Sequence, residues 1–325
     1  VSKNKKNFKI ENNINKKYFK NYLFLKDKIK LNKIINKIYS NLDNKKNTFH
    51  IFSKKIIFNF TGANLKIFTK YDSIILIGMG GSVLGAKAIY SFMSEKIKKK
   101  FIFFDNLDQI KIEQTKKKIN LKDSLFIIIS KSGNTIETLI NSNLFIDAIT
   151  YKNTIIITEP KKNLLNTFAK NKKILQINHK DYIGGRYSVL SEVGIIPAYF
   201  MGLKINNFRN NLLSFFKRKK KLILTESVIK LSHIYSIKKI NSLILLSYSP
   251  QLNNFLFWLQ QIVAESLGKK GMGILPVVSV APRDHHSLLQ LYLDGPKDKL
   301  FYIFSLNLKK KMTLRKGIFG KNFSF

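Results

Sequence analysis

Acidic side chains are scarce in this 325-residue chain, which carries 19 Asp and Glu against 58 Lys and Arg. One of them, Glu265, lies in WLQQIVAESLGKK (258–270) among apolar and amide residues. Leu252, Phe255, Leu256, Leu259 and Val263 recur at helical spacing, which predicts an apolar seam. Gln261 and Glu265 are four residues apart and share a face beside it. Gly268 is the expected end of this helix, and Lys269 and Lys270 suit its negative terminus. An acid in the last turn meets that same terminus, which disfavours its charged form by a few tenths of a kcal/mol to about 1 kcal/mol. The helix alone is compatible with a surface carboxylate or with a base that shuttles a proton.

A second set of chemistry-bearing residues is IISKSGNTIET (128–138), which follows a predicted strand and opens a predicted helix. The first amides of a helix lack internal partners and carry partial positive charge. Ser130, Ser132 and Thr135 add three hydroxyls around Gly133 and Asn134, with no acid before Glu137. An N-cap needs only one such hydroxyl, whereas three suit a phosphate. The G-K-[ST] ending of a nucleotide P-loop is missing. IGMGGSVLG (77–85) also runs from strand through glycine turn to helix. Gly78 and Gly80 fit the first positions of G-x-G-x-x-G, and Asp105 imitates the ribose-binding acid, but Val83 stands where the third glycine belongs. A dinucleotide reading is therefore weak. What remains is a turn where a ligand can approach backbone amides, or a tight turn alone.

The elements that must position these residues alternate regularly. Strands are predicted at DSIILIGMG, KKFIFFDN, DSLFIIIS and NTIIITE, with helices at GSVLGAKAIYSFM and NTIETLINSNLFIDAI. After a helical stretch around 187–236 the pattern restarts: strand INSLILLSY, helix QLNNFLFWLQQIVAESLG, short helix HHSLLQLYLDG, strand KLFYIFSL. Continuous apolar strands alternating with helices imply an α/β fold with parallel sheets covered on both faces. The expected organisation is a helical extension over 1–69, with weak amphipathic helices in its Lys/Asn-rich first 50 residues, then one domain over 70–203 and a second over 204–325. The second has few strands and would leave sheet edges open.

There is no cysteine, which excludes disulfides, thiolate metal sites and a cysteine nucleophile. The net charge of +39 suggests nucleic acid, but lysines are spread along the whole chain and accompany Asn, Ile and Phe. No nucleic-acid motif is present, so compositional drift is the favoured explanation and specific nucleic-acid binding is not expected. No apolar run reaches the length of a membrane span, and the basic N-terminus lacks the apolar core of a signal peptide. A cytoplasmic location is expected.

The two glycine turns together resemble a sugar isomerase (SIS) domain, which binds phosphosugars. GGRYSVLSEVG, within DYIGGRYSVLSEVGIIPA (181–198), resembles the first signature of the glucose-6-phosphate isomerase family. QQIVAESLGK (260–269) resembles its base-bearing helix and HHSLLQLYLDG (285–295) its histidine segment. The motifs fall in the family's order over residues 70–305.

The resemblance implies two SIS-like three-layer α/β/α sandwiches, the second incomplete. It implies interconversion of glucose 6-phosphate and fructose 6-phosphate through a cis-enediol, in glycolysis and gluconeogenesis, with no metal and no cofactor. Ser130, Ser132 and Thr135 would hold the phosphate with Lys131 beside them, and Gly81 and Ser82 would line the sugar. Arg186 would steady the enediolate, Gln261 would touch the sugar, and Glu265 would move the proton between C2 and C1. His286 would assist ring opening from the second subunit, which implies a homodimer. Counting back from Gln290 and Gly295 along the family pattern selects His286 over His285, which reads as an exposed neighbour. Such chemistry needs a carboxylate base and a cation beside the developing enediolate oxygens, and Arg supplies its charge at any working pH.

The family's C-terminal signature, an Asn-Gln pair, a Gly-Val-Glu and a Lys acting at the ring oxygen, has no counterpart in NLKKKMTLRKGIFGKNFSF (307–325). None of Lys311, Lys316 and Lys321 lies in a matching motif. The expectation is a chain shortened by truncation or frameshift. Alternatives are an isomerase that also uses mannose 6-phosphate, a phosphosugar-binding remnant without turnover, and a basic nucleic-acid binder.

Overall fold

The structure, a computed structural model, describes residues 10, 11, 13, 14, 21–210, 212–236 and 240–307. The helices expected before residue 20 and the tail carrying Lys311, Lys316 and Lys321 lie outside the described residues. In chain order the elements are α1 (Asn21–Ser40), α2 (Gly62–Lys66), β1 (Ser73–Gly78), α3 (Leu84–Met93), β2 (Lys100–Phe104), α4 (Gln109–Lys118) and β3 (Ser124–Ile129). Next come α5 (Ile136–Leu144), β4 (Thr154–Thr158), α6 (Leu164–Asn171), β5 (Leu175–Asn178), α7 (Glu192–Phe200), α8 (Ile205–Arg209) and α9 (Arg218–Ser236). The last are β6 (Ser242–Ser247), α10 (Asn253–Leu267), β7 (Leu275–Val280), α11 (His285–Asp294) and β8 (Lys299–Phe304).

The chain divides into two compact units, one of residues 1–56 with 209–240 and the other of 57–208 with 241–325. In the first, α1 packs on α9. Phe52 and Tyr39 both meet Phe216, and Arg209 Nη2 donates to the carbonyls of Ile51 (2.6 Å) and Ser53 (3.1 Å).

The second unit contains two parallel sheets, in the orders β2-β1-β3-β4-β5 and β7-β6-β8. β3 and β4 are buried along their whole length, which is why they read as unbroken apolar runs. Successive side chains point to opposite faces of a strand. Ile74, Leu76, Leu125, Ile127, Ile129, Ile155 and Ile157 therefore join one core with Val83 and Ala86 of the α3 region and Val193 and Ile196 of α7. Ile75, Ile77, Phe126, Ile128 and Ile156 join the other with Ile112 of α4 and Leu165 and Ala169 of α6. Each of these valine, leucine, isoleucine and phenylalanine side chains contributes about 1.5–3 kcal/mol.

The alternation and the parallel sheets are as expected from sequence, with two strands added. β5 is a four-residue edge strand too short to stand out, and β7 carries Pro276. Proline lacks the amide a central strand needs, which argues against a strand unless it lies at an edge, as β7 does.

Candidate functional site

The two glycine turns leave adjacent central strands at the carboxyl end of the first sheet. β1 and β3 pair in parallel with Gly78 opposite Ile129, so the turns at 79–83 and 130–135 open side by side. β2 lies on the other side of β1, so the strand order reverses between these turns. Crevices at the carboxyl ends of such strands are where ligands enter α/β sheets.

In the second turn Thr135 Oγ1 lies 2.8 Å from Ser130 Oγ and 3.4 Å from Ser132 Oγ, so the three hydroxyls form one cluster. Ser130 Oγ accepts from Gly133 N (3.1 Å) and Ser132 Oγ from Asn134 N (3.3 Å). Gly133 has φ +69°, and a Cβ there would lie 2.0 Å from Asn163 Oδ1, so only glycine closes the turn this tightly. The first bond of α5 runs from Leu139 N to Thr135 O, which leaves the amides of 136–138 before the ladder begins. Lys131 does not share this arrangement. Its Nζ donates to the carbonyls of Asp181 (2.7 Å) and Ile183 (3.0 Å) and lies 3.4 Å from Glu159 Oε1. It thus braces the loop that leads to Arg186.

That loop is pinned before and after. Lys180 and the fully buried Glu192 form an ion pair at 2.8 Å. Between them, the Gly185–Arg186 peptide rests on Gly81, where a Cβ would meet Gly185 O at 2.3 Å. The buried Ser188 hydroxyl bridges the same turns, donating to Gly185 O (2.6 Å) and toward Gly81 O (3.3 Å). Ser82 caps no helix and sits half-buried in the 3-10 turn Gly80–Ser82.

The helix bearing Glu265 is α10, which packs on α3 and β7. Of the expected seam only Leu256 is fully buried, and Gly268 ends the helix by donating to Ala264 O at 2.8 Å. Glu265 is half exposed, and its two oxygens have different partners. Arg186 Nη1 donates to Oε1 at 2.8 Å and Gln261 Nε2 to Oε2 at 3.3 Å. Arg186 Nε donates to Ser266 Oγ at 2.9 Å, the Tyr187 hydroxyl lies 2.5 Å from that oxygen, and the guanidinium sits 4.5 Å from the centre of the Tyr187 ring. Partial burial works against the Arg186 charge, but Tyr187 and Glu265 outweigh it and hold its pKa above the ordinary value. Burial likewise raises the Tyr187 phenol, yet the bond from Ser266 and the charge of Arg186 leave it below its usual value. A carboxylate fixed beside a permanent cation can accept a proton from carbon and face the charge that then develops.

The histidines reverse one expectation. His285 is half-buried and bonds the Tyr248 hydroxyl through Nε2 at 3.1 Å, while His286 is the exposed one. The first turn of α11 carries both, and the side chain of residue 285 is the one that meets Tyr248, the residue after β6. Among the described contacts none joins His286 to Glu265, Arg186 or the hydroxyl turn. Asp105, the imitation of a ribose-binding acid, is paired with Lys87 at 2.7 Å. Ser266, Tyr187 and Ser188 were not singled out in the sequence. Each lies within a quoted motif, but partners 79–107 residues away leave no local pattern that marks its role.

The profile of the family described as Phosphoglucose isomerase matches residues 35–274. The chain belongs to the phosphoglucose isomerase family. The matched span takes in both turns, Arg186 and Glu265 and ends before His285 and His286. The glucose-6-phosphate isomerase of Methanocaldococcus jannaschii is 34% identical over 293 residues, 86% of this chain and 71% of its own length. That of Campylobacter jejuni is 36% identical over 242 residues, 70% of this chain and 59% of its own. The chain therefore spans less than two thirds of the Campylobacter relative. Among solved structures, a glucose-6-phosphate isomerase from Chlamydia trachomatis aligns with a TM-score of 0.70 at 19% identity, covering 87% of this chain and 66% of that one. Tagatose-6-phosphate ketose/aldose isomerase from Escherichia coli aligns at 0.52 and 14%, covering 86% and 69%. At these identities the likeness speaks for the fold, the mixed α/β arrangement with parallel sheets that phosphoglucose isomerases share with other phosphosugar isomerases.

Proposed function

We propose that the chain interconverts glucose 6-phosphate and fructose 6-phosphate. The observation that carries this reading is the Arg186–Glu265 pair at 2.8 Å, with Gln261 on the second carboxylate oxygen. Membership of the family supplies the reaction class. In this reading the phosphate rests on Ser130, Ser132 and Thr135 and the amides that open α5, and Gly81 and Ser82 line the sugar. Glu265 takes the proton from C2 of the open-chain aldose as the C2–H bond breaks and a C1–C2 double bond forms. The protonated Glu265, whose proton can exchange with water in the interval, then delivers a proton to C1 while the O2–H proton passes to O1, giving the ketose with no net redox change. Arg186 faces the charge on the enediolate between the two steps. Lys131 acts as a brace of the 181–186 loop, since its ammonium is already held by two carbonyls.

The test is turnover of fructose 6-phosphate by the purified full chain. Glu265→Gln keeps the shape and removes the base, and a loss of about 10²–10⁴ in kcat is expected. Wild-type turnover no faster than the uncatalysed rate, or full activity in the variant, contradicts the reading.

A homodimer in the cytoplasm is part of the same proposal. His286 is exposed on α11 and stands apart from the residues around Glu265 in its own chain, as a histidine that opens the sugar ring in a partner protomer would. Glu265→Gln and His286→Ala chains, each inactive alone, should regain turnover when unfolded together and refolded as mixed dimers. Silence of the mixture would contradict the shared site.

A further inference from the structure

We propose that Ser266 and Tyr187 are positioning residues that clamp the Arg186 guanidinium so that Nη1 faces Glu265. The role rests on reading Arg186 and Glu265 as the reacting pair. A guanidinium is a planar fork whose donors are fixed relative to one another, so two restraints in different directions set its orientation. Ser266 supplies one in the plane, accepting from Nε at 2.9 Å. The Tyr187 ring supplies the other across the face, at 4.5 Å from the guanidinium carbon. The two restraints are tied together, because the Tyr187 hydroxyl and Ser266 Oγ are 2.5 Å apart. Glu265 has 51% of its side chain exposed and Arg186 only 14%, so the clamp grips the buried partner and leaves the carboxylate open to substrate. An ion pair with one exposed partner is loosely held by itself. Ser266 also follows Glu265 directly in α10, so one helical turn carries both the base and the support of its cation.

The chain has five arginines, which give five resolvable Nε–H signals in protein labelled with nitrogen-15 on arginine alone. The Arg186 signal is the one lost in Arg186→Lys. In the full-length chain, Ser266→Ala should speed exchange of that proton with water about tenfold, and Ser266→Thr, which keeps the hydroxyl, should restore it. Tyr187→Leu should speed it by a similar factor, with the other four signals unchanged as a check on folding. With fructose 6-phosphate, Ser266→Ala should lower kcat about tenfold at a KM within about twofold of wild type, and Ser266→Thr should recover it. If the wild-type chain shows no turnover, the isomerase reading fails while the exchange rates still decide the clamp. Unchanged Arg186 exchange in both Ser266→Ala and Tyr187→Leu overturns the proposal, as does faster exchange with unaltered kcat.

Discussion

Thr135 shows how a residue reads differently in sequence and in space. Its position suits an N-cap, yet its hydroxyl caps nothing and instead joins Ser130 and Ser132. A group used for the phosphate in both ground and transition states should affect binding rather than rate. Thr135→Val should therefore raise KM for fructose 6-phosphate about tenfold while leaving kcat within about threefold. Steady-state kinetics showing an unchanged KM would count against a phosphate cradle. Glu265, Gln261 and the hydroxyls were visible in the sequence because their neighbours in the chain set their faces and turns. The contact partners of Lys131, Ser266 and His285 were not, because they lie 37–80 residues away and side-chain direction there is set by packing.

At the scale of elements, the crevice is made by two turns from adjacent strands and a loop that rests on one of them. The central strands were legible as long apolar runs, whereas β5 and β7 were hidden by brevity and by Pro276. Gly81 is where turn and loop meet without a side chain between them. A methyl group there would press on the Gly185 carbonyl at 2.3 Å, and backbone has no flexible end to move aside. Gly81→Ala should lower stability by about 1–3 kcal/mol and shift Arg186 away from Glu265. Chemical denaturation together with the Arg186 Nε–H signal would measure both effects. A variant of wild-type stability with an unmoved signal would mean that the turn and loop do not need this close approach.

At the scale of the whole molecule, the charge of +39 dominates the composition, but among the described residues few ionisable side chains are buried. His179 is buried, and burial lowers its pKa, aided by the charge of Lys131 and opposed by the bond to the Lys180 carbonyl and by Glu192 and Glu159. Folding therefore favours the neutral imidazole. Unfolding exposes a histidine that takes up a proton near its ordinary pKa of about 6.5. The stability tied to His179 is thus intact above that pH and is lost as pH falls toward the lowered folded value. Thermal midpoints should fall between pH 7 and about pH 5.5, and less steeply in His179→Gln. Equal slopes in the two proteins would remove His179 as the cause. No described helix is long and apolar enough to cross a membrane, and among the described residues no cluster of His, Asp and Glu could hold a metal ion.

The central claim is that Glu265 carries a proton between two adjacent carbons of the sugar. Proton NMR of fructose 6-phosphate incubated with the full-length chain in deuterium oxide reads that transfer directly. Deuterium should enter C1 of the ketose and C2 of the glucose 6-phosphate formed, and neither position should be labelled with Glu265→Gln. Labelling that persists in Glu265→Gln at the wild-type rate would assign the proton transfer to another group and contradict the account.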